Sequence, residues 1–379
     1  MPEITTLSTA TQIAAKLIRR QSPTPEDGGC QDYIASLLAP LGFVRKSVDT
    51  GGITNSIYTR MGELKGTLAF AGHTDVVPTG PVEDWPHPPF DAVIEDGILH
   101  GRGAQDMKGG VACWIAAVSQ LCAEFNPLPT LQLLITSDEE GDSIDGTIRI
   151  VEKMQADNTL PDAVIVGEPS SSKQVGDVIR RGRRGVVQIA AVFEGKQGHS
   201  AYPQDAINAV HMAAPALERI TRIDWGDAAE GFPATTCQIT NVQAGTGATN
   251  VIPGNCFASI DIRYNPGIDF EGIEQRIFKA CEGAEVVLDI QHQAEAFSTP
   301  DCSFLDQVCA SIKQVTGIET LRDTGGGTSD GRFLAAAGVP VVELGLTNST
   351  IHQVGECVAI HELDTLTSIY ADIITNFEA

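Results

Sequence analysis

Apolar residues recur with two different periods along the first half of the chain. In segments 7–20 and 30–40 they fall on one side of a helix, so both segments are predicted to be amphipathic helices. Continuous apolar runs elsewhere predict three strands, at 67–71, 131–140 and 162–170, and one buried helix at 110–125. This alternation predicts an α/β sheet with helices on both faces.

The middle of the chain has a different pattern. Apolar and polar residues alternate with the period of a half-exposed strand in four segments, and helical patterns stand between them. The strands are predicted at 186–193, 235–242, 256–264 and 286–290, and the helices at 206–220 and 273–281. This β-α-β-β-α-β order is that of a ferredoxin-like α+β domain.

Helix and strand patterns resume from about residue 304, with a strongly apolar strand predicted at 338–346. We therefore predict two domains. Residues 1–181 and 294–379 form a larger α/β domain, and residues 182–293 form a smaller domain inserted into it. A chain of 379 residues is long for a single core, which also favours two domains.

Composition narrows the class of protein. The net charge of -24 argues against a nucleic-acid partner, because the phosphates would be repelled. The chain contains no run of about 18 apolar residues, so no membrane span is predicted. Segment 1–12 lacks the pattern of a signal peptide. Nine cysteines without a C-x-x-C pair indicate reduced thiols. The expectation is a cytoplasmic protein with no membrane partner.

Histidines and acids stand at or just after the predicted strand ends, where ligands bind in open α/β sheets. These residues are His73, Asp106, Glu139, Glu140, Glu168 and His352. Asp75 lies two positions after His73, on the same side of an extended segment, and could hold one imidazole nitrogen while the other binds a metal. The alternative is a pair of ordinary loop hydrogen bonds.

The segment SDEEGD at 137–142 places three acids together after a buried strand. Their mutual repulsion costs stability unless a cation is bound. Because adjacent side chains diverge, one of Glu139 and Glu140 could bind a metal while the other carries a proton. A solvated acidic loop is the alternative.

The glycine-rich segment GRGAQDMKGG at 101–110 contains Asp106, for which a simple helix N-cap is the alternative to a ligand. The segment lacks the third glycine of a dinucleotide site. Two histidines and three carboxylates are too many for one tetrahedral zinc, but they suit two metals that share a carboxylate. Nitrogen and oxygen donors without thiolate fit zinc, and also cobalt or manganese.

Taken together, GHTDVVP, GRGAQDMKGG, TSDEEGD, GEPS, GKQGHSAYP, ATNVIPG, GGTSDGRF and NSTIHQVGE resemble the dinuclear zinc amidohydrolases of the M20 peptidase family. The resemblance implies a zinc-peptidase-like catalytic domain with a mixed sheet, and a dimerisation or lid domain at 182–293. It also implies two Zn²⁺ per subunit, which Co²⁺ could replace. The implied ligands are His73 and Glu168 for one ion and Glu140 and His352 for the other, with Asp106 bridging.

The same resemblance implies roles for three other residues. Glu139 is implied as general base and acid, and Asp75 as the partner of His73. His199 in GKQGHSAYP is implied to donate to the oxyanion, commonly across the interface of a homodimer. Without the resemblance, His199 would be read as an ordinary loop histidine.

A basic cluster, RRGRRG at 180–185, is unexpected in so acidic a chain. Arginine forks suit substrate carboxylates, and a salt-bridged domain hinge is the alternative. The resemblance implies a substrate pocket built from Arg183, Tyr202, Asn250, Arg263, Gly327, Thr328 and Asn348. Val186 departs from the serine that the family often has after this cluster.

These features favour hydrolysis of a small anionic N-succinyl amino acid. An acetylornithine deacetylase, or another N-acyl amino acid amidohydrolase or metallopeptidase, is the alternative with the same chemistry. A non-catalytic, metal-stabilised binding protein is the alternative of a different class. The intact Glu139 argues against it, because a binding protein could keep the ligands and lose the base.

Overall fold

The computed structural model of the chain describes residues 7–124 and 127–379. The chain divides into two compact units. The first contains Met1–Gly182, Ser298–Asp323 and Ser329–Ala379, and the second contains Arg183–Phe297 and Thr324–Thr328. The short segment Thr324–Thr328 thus groups with the second unit, although the sequence pattern assigned it to the larger domain.

The helices of the described residues are α1 (Thr9–Ile18), α2 (Cys30–Leu38), α3 (Lys108–Ala123), α4 (Thr147–Asp157), α5 (Ala209–Thr221), α6 (Phe270–Ala280), α7 (Ser303–Thr316), α8 (Gly331–Ala336) and α9 (Ile360–Thr375). Short 3₁₀ helices lie at Ala39–Leu41, Val82–Asp84 and Pro203–Asp205. Within the described part of the chain, no helix has the length and apolar character needed to cross a bilayer.

The strands are β1 (Val44–Ser47), β2 (Ser56–Arg60), β3 (Thr67–His73), β4 (Val93–Glu95), β5 (Ile98–His100), β6 (Thr130–Thr136), β7 (Ala163–Val166), β8 (Val178–Arg180), β9 (Gly182–Arg183), β10 (Gly185–Glu194), β11 (Gly198–His199), β12 (Thr236–Ala244), β13 (Val251–Ile252), β14 (Asn255–Tyr264), β15 (Val286–Ala294), β16 (Phe297–Ser298), β17 (Leu321–Asp323), β18 (Val341–Glu343) and β19 (Cys357–Ala359).

The first unit is built on an eight-stranded sheet in the order β1-β2-β6-β3-β7-β18-β8-β17. Strands β6, β3, β7 and β18 run parallel, whereas β1 and β2 pair antiparallel at one edge. The predicted mixed sheet is therefore confirmed. Because the central strands are parallel, their carboxyl ends meet at one edge of the sheet, where ligands bind in folds of this kind.

Helix α3 is the centre of the core in the first unit. It is buried along most of its length and packs against α1 and α9. Its Trp114 is 1% exposed and contacts Phe43 and Phe70, with ring centroids 5.9 and 5.7 Å away. Truncating so large a buried side chain to alanine typically costs about 3–5 kcal/mol. The helix predicted at 110–125 begins earlier, at Lys108, and residue 125 lies outside the described residues.

The apolar stretch at 338–346 is only partly a strand. Regular pairing covers Val341–Glu343, and the chain then leaves the sheet while Leu344 and Leu346 stay buried. Gly345 is needed there, because a Cβ would lie 2.3 Å from the main-chain oxygen of Glu168. The predicted strand was therefore too long, since part of the apolar run packs against the loop after β7.

The second unit contains an antiparallel sheet in the order β12-β14-β10-β15. Helices α5 and α6 cover one face, on which Val187, Ile189 and Phe193 of β10 are buried. The intervening Gln188 of the same strand is exposed. The sequence of elements is β-α-β-β-α-β, the order that the alternating pattern predicted.

Candidate metal centre and active site

Two groups of potential metal ligands lie at the carboxyl edge of the parallel strands. One contains His73, Asp106 and Glu168, and the other contains Asp106, Glu140 and His352. Within each group, the candidate ligand atoms all lie within 4.8 Å of one another. The structure thus brings together all five residues that the sequence suggested as ligands, although they span most of the chain.

Asp106 is shared by the two groups. Its Oδ1 lies 3.2 Å from Nε2 of His73, and its Oδ2 lies 3.4 Å from Nε2 of His352. Each group is completed by a second carboxylate. Glu168 Oε1 lies 3.5 Å from His73, and Glu140 Oε1 lies 3.2 Å from His352. One carboxylate oxygen facing each imidazole is the arrangement expected of a residue that bridges two metals.

The backbone fixes the orientation of His73. Its Nδ1 lies 2.9 Å from the main-chain oxygen of Asp75 and 3.5 Å from the Asp75 carboxylate. The shorter contact assigns a proton to Nδ1, so Nε2 is the nitrogen that faces Asp106 and Glu168 and that a metal would use. The sequence argument expected the carboxylate of Asp75 to do this, but the nearer partner is its main-chain oxygen.

The Asp75 carboxylate makes other hydrogen bonds. It accepts from the main-chain N–H of Glu140 at 3.0 Å and from that of Glu139 at 3.4 Å. Asp75 is fully buried; burial alone would raise the pKa of its carboxyl, but the hydrogen bond and charge of His73, followed by the Glu140 N–H, lower it. It therefore ties the end of β3 to the acidic segment that follows β6.

Glu139 and Glu140 point to different partners, as their adjacency predicted. Glu140 belongs to the ligand group of His352, whereas Glu139 Oε2 lies 4.0 Å from Nε2 of His73. Burial, followed by the negative charge of Glu168, raises the pKa of the Glu139 carboxyl well above its usual value. A carboxyl that readily holds a proton beside a metal site suits a general base and acid.

The pKa values of the other ionisable groups show that several carboxylates lie close together in the site. Burial, then the nearby Asp106, raises the pKa of Glu168 to about 7. Hydrogen bonds to Asp106 and Glu140 raise the pKa of His352 to about 10. Burial would lower the pKa of His73, but hydrogen bonds to Asp106, Asp75 and Glu168 raise it well above its usual value. Divalent cations would balance this excess of carboxylates, so the donor set fits metal ions.

Sequence reasoning missed the polar residues that support the loop carrying Asp106. Arg102, Gln105 and Glu356 are each 2% exposed or less. Their signal was present in the sequence: Arg102 and Gln105 precede Asp106 inside GRGAQDMKGG, and Glu356 follows His352 by four positions. The loop is also closely packed, since a Cβ on Gly109 would lie 2.2 Å from the Ala104 oxygen.

In the second unit, His199, Tyr202 and Asn250 are exposed neighbours. The strand containing His199 pairs with Val251, and the rings of His199 and Tyr202 have centroids 5.7 Å apart. The main-chain N–H of Ala201 donates to Nδ1 of His199 at 3.0 Å. This assigns the imidazole proton to Nε2, so that the exposed nitrogen is a donor.

The arginines of RRGRRG separate into two kinds. In the first unit, Arg180 pairs with Asp323, and Arg181 pairs with Asp301 at 2.7 Å. These two ion pairs favour the structural alternative for the first half of the cluster.

Arg183 belongs to the second unit and is 7% exposed. Its Nη1 donates to the main-chain oxygen of Gly325 at 3.1 Å. It therefore lies against the short segment that carries Gly327 and Thr328, two other residues predicted to contact substrate.

Two further residues predicted to contact substrate have contacts of their own. Arg263, on β14, forms an ion pair with Asp261 at 2.8 Å, and Val186 stands opposite it on β10. Asn348 belongs to the first unit, where its main-chain N–H donates to the oxygen of Ser171 at 3.1 Å.

Comparison with known proteins places this site in a family. A family model described as Peptidase family M20/M25/M40 matches residues 69–376. The succinyl-diaminopimelate desuccinylase of Marinobacter nauticus is 46% identical over 376 residues, which cover 98% of this chain and 100% of that protein.

Two solved structures share the fold. An M20 family metallo-carboxypeptidase from Sulfolobus solfataricus matches with a TM-score of 0.81 at 20% identity, over 97% of this chain and 99% of that one. A dinuclear metal-binding peptidase of the M20 family from Bacillus subtilis matches with a TM-score of 0.71 at 16% identity, over 97% and 96%. At these identities the likeness concerns the fold.

Proposed function

The chain belongs to peptidase family M20/M25/M40, and from this premise we propose that it hydrolyses N-succinyl-LL-2,6-diaminopimelate to succinate and LL-2,6-diaminopimelate. This is the reaction of a succinyl-diaminopimelate desuccinylase, in lysine and meso-diaminopimelate biosynthesis. The observation that carries the proposal is the pair of ligand groups sharing Asp106, with the proton-holding Glu139 beside them. The 46% identical relative supports the choice of substrate.

Two Zn²⁺ per subunit fit the donor set, and Co²⁺ can replace them. His73 and Glu168 would hold one ion, Glu140 and His352 the other, and Asp106 both, as nitrogen and oxygen donors without thiolate suit these metals. When bound, the ions polarise the amide carbonyl and lower the pKa of the attacking water.

The chain itself moves the protons. Glu139 takes the proton of the attacking water on its carboxylate and later delivers it to the departing amine. The raised pKa of Glu139 suits both halves of this cycle, because the carboxyl must hold the proton between the two steps. Asp75 holds His73 and the acidic segment in position relative to each other during both steps.

His199 supplies the donor for the oxyanion. Its Nε2 carries the proton, and Nδ1 is occupied by the Ala201 N–H. The exposed position of His199 suits a group that acts on a substrate bound by another chain. We therefore place it at the active site of the partner subunit of a homodimer, with the second unit as the dimerisation domain.

The arginine fork of Arg183 and the side chain of Arg263 would hold substrate carboxylates, and we assign further substrate contacts to Tyr202, Asn250 and Asn348. Gly327 and Thr328 add main-chain contacts next to Arg183. An acetylornithine deacetylase, or another N-acyl amino acid amidohydrolase, would need fewer contacts to substrate carboxylates. The nine cysteines are all free, which suits a reducing, cytoplasmic location.

The test is succinate release from N-succinyl-LL-diaminopimelate by metal-free protein as zinc is added stepwise, with N-acetylornithine in parallel. Zinc-dependent release from the succinyl compound alone is expected. Turnover of acetylornithine instead would keep the metal site and overturn the substrate assignment. Two bound zinc ions with turnover of neither compound would contradict the proposed reaction.

A further inference from the structure

Glu356 is a buried carboxylate whose hydrogen bonds all go to the loop that carries Asp106. It is 0% exposed. Its Oε1 accepts from the main-chain N–H of Gln105 at 2.9 Å and of Asp106 at 3.1 Å, and its Oε2 accepts from that of Gly103 at 3.0 Å. Three main-chain donors on one carboxylate fix the path of the loop through Asp106 itself.

Arg102 connects this carboxylate to two other loops of the first unit. Its Nη1 donates to Glu356 Oε2 at 2.9 Å and to the main-chain oxygen of Gln353 at 3.1 Å, and its Nη2 approaches the oxygen of Pro78 at 3.4 Å. Gln353 is the neighbour of His352, whereas Pro78 lies five residues after His73, in the segment that follows β3. The guanidinium therefore ties the loop that carries Asp106 to the loop that carries His352.

Gln105 makes a second connection between the same loops. Its side-chain Oε1 accepts from the N–H of Thr350 at 2.9 Å and from the Thr350 hydroxyl at 2.6 Å. Its Nε2 donates to the hydroxyl of Thr347 at 3.0 Å. One buried amide thus joins the residue before Asp106 to the segment that leads into His352.

His352 needs such support more than the other ligands do. Its φ is +60°, in the left-handed region that a histidine rarely adopts, and its side chain is 51% exposed. A residue in that region keeps its conformation only where the surrounding structure imposes it. His73, by contrast, ends a central strand and is 1% exposed.

We propose that Arg102, Gln105 and Glu356 form a positioning frame that selectively sets the affinity of the second metal site, the one held by Asp106, Glu140 and His352. The first site has His73 on β3 and Glu168 in the loop after β7, so it depends on the frame only through Asp106. The second depends on it through both Asp106 and His352. The inference rests on the two-metal centre proposed above, but not on the substrate.

The test is a competitive zinc titration of the metal-free protein against a chelator, which gives two stepwise affinities. The step that disappears in His352→Ala identifies the second site. We expect Gln105→Met to weaken that step about tenfold and the other step less than about threefold, as loss of a residue that orients a metal ligand usually weakens binding 10–100-fold.

Gln132→Met is the matched control. Gln132 is 4% exposed and lies within β6, where its Nε2 donates to the main-chain oxygen of Thr159 at 3.1 Å. The same substitution there also removes a buried amide hydrogen bond, but no ligand loop is involved. Both zinc affinities should stay within about twofold of the wild type, whatever happens to the melting temperature.

Two more variants keep the test decisive. Glu356→Gln should weaken the second step by up to about 100-fold. If that variant or Gln105→Met does not fold, Thr350→Val removes a hydroxyl that donates to Gln105. Equal weakening of both steps, or no weakening, would overturn the frame. A wild type with two zinc steps and no turnover would count against the proposed reaction and leave the frame standing.

Discussion

The two units hold their candidate functional residues in different ways. In the first unit, His73, Asp106 and Glu168 are buried, and the two carboxylates lie 3.2 and 3.5 Å from Nε2 of His73. In the second, His199 and Tyr202 are exposed, and the imidazole of His199 accepts a hydrogen bond from the Ala201 N–H of its own turn. The three side chains of the first unit are therefore positioned by contacts within their own chain.

This difference indicates two kinds of binding. The first group is already arranged to receive cations, since its charges are costly without them. The second group presents donors to solvent, which suits contact with a substrate or with another copy of the chain. Each prediction below tests one side of this contrast.

The largest effect is expected from Glu139→Gln. Glutamine keeps the shape of the side chain but cannot carry the proton, so turnover of the succinyl substrate should fall about 10³–10⁴-fold. Both zinc ions should still bind, because Glu139 is outside both ligand groups. Glu152→Gln, on the exposed side of α4, is the control. Turnover that survives in Glu139→Gln would remove the proton-transfer role.

The ligands could be predicted from the sequence because acidic side chains at the end of a buried apolar strand cost stability unless a bound cation compensates their charge. His73 ends strand β3, and Glu140 and Glu168 follow strands β6 and β7; each of these strands contains an apolar run. The two-period pattern likewise predicted an α/β sheet and the β-α-β-β-α-β order. The mixed sheet, by contrast, was implied by the resemblance to the M20 family.

Long-range pairing could not be predicted in the same way. Arg102 and Glu356 are 254 residues apart, and no local pattern says that one is the counterion of the other. The strand predicted at 338–346 was too long, because an apolar run does not distinguish pairing in a sheet from packing on a loop.

The second prediction concerns whether His199 acts in the active site of its own subunit or of the partner subunit. His199→Ala should lower kcat about 10²–10³-fold, the usual loss of one oxyanion donor. If the histidine serves the partner subunit, mixing this variant with Glu139→Gln and allowing subunits to exchange restores activity. A mixed dimer then has one site with both groups intact, and an equimolar mixture should regain about a quarter of wild-type activity. A mixture that stays inactive after demonstrated exchange would place His199 in its own chain's site.

The third prediction concerns the arginine cluster. Arg183→Lys should raise KM for the succinyl substrate about 10–30-fold with a smaller change in kcat, because lysine lacks the fork that binds a carboxylate at two points. Arg181→Lys is the matched control, since Arg181 pairs with the exposed Asp301 and such pairs contribute little. Equal effects of the two substitutions would indicate that the whole cluster is a salt-bridged domain hinge and does not bind substrate. The readout is steady-state kinetics with zinc saturating.

The smallest effect is expected from pH, and it belongs to the first unit. The pKa of His352 is raised to about 10, so metal-free protein holds that proton at neutral pH, whereas metal needs the neutral imidazole. In the first site, His73, whose pKa is also raised, holds a proton, and Glu168, with a pKa of about 7, holds another as the pH falls below that value. These protons compete with zinc, so affinity must fall as pH falls.

Between pH 7.5 and 9 the affinity of the second site should rise about tenfold per pH unit, reflecting one displaced proton. Calorimetry of zinc binding at pH 8, in buffers of different ionisation enthalpy, should report that proton directly. His352→Ala should remove it along with the second binding step, and the first step should remain. Heats that do not depend on the buffer would show that His352 is neutral before metal arrives. The contrast between the units would then rest on burial and hydrogen bonding, not on displaced protons.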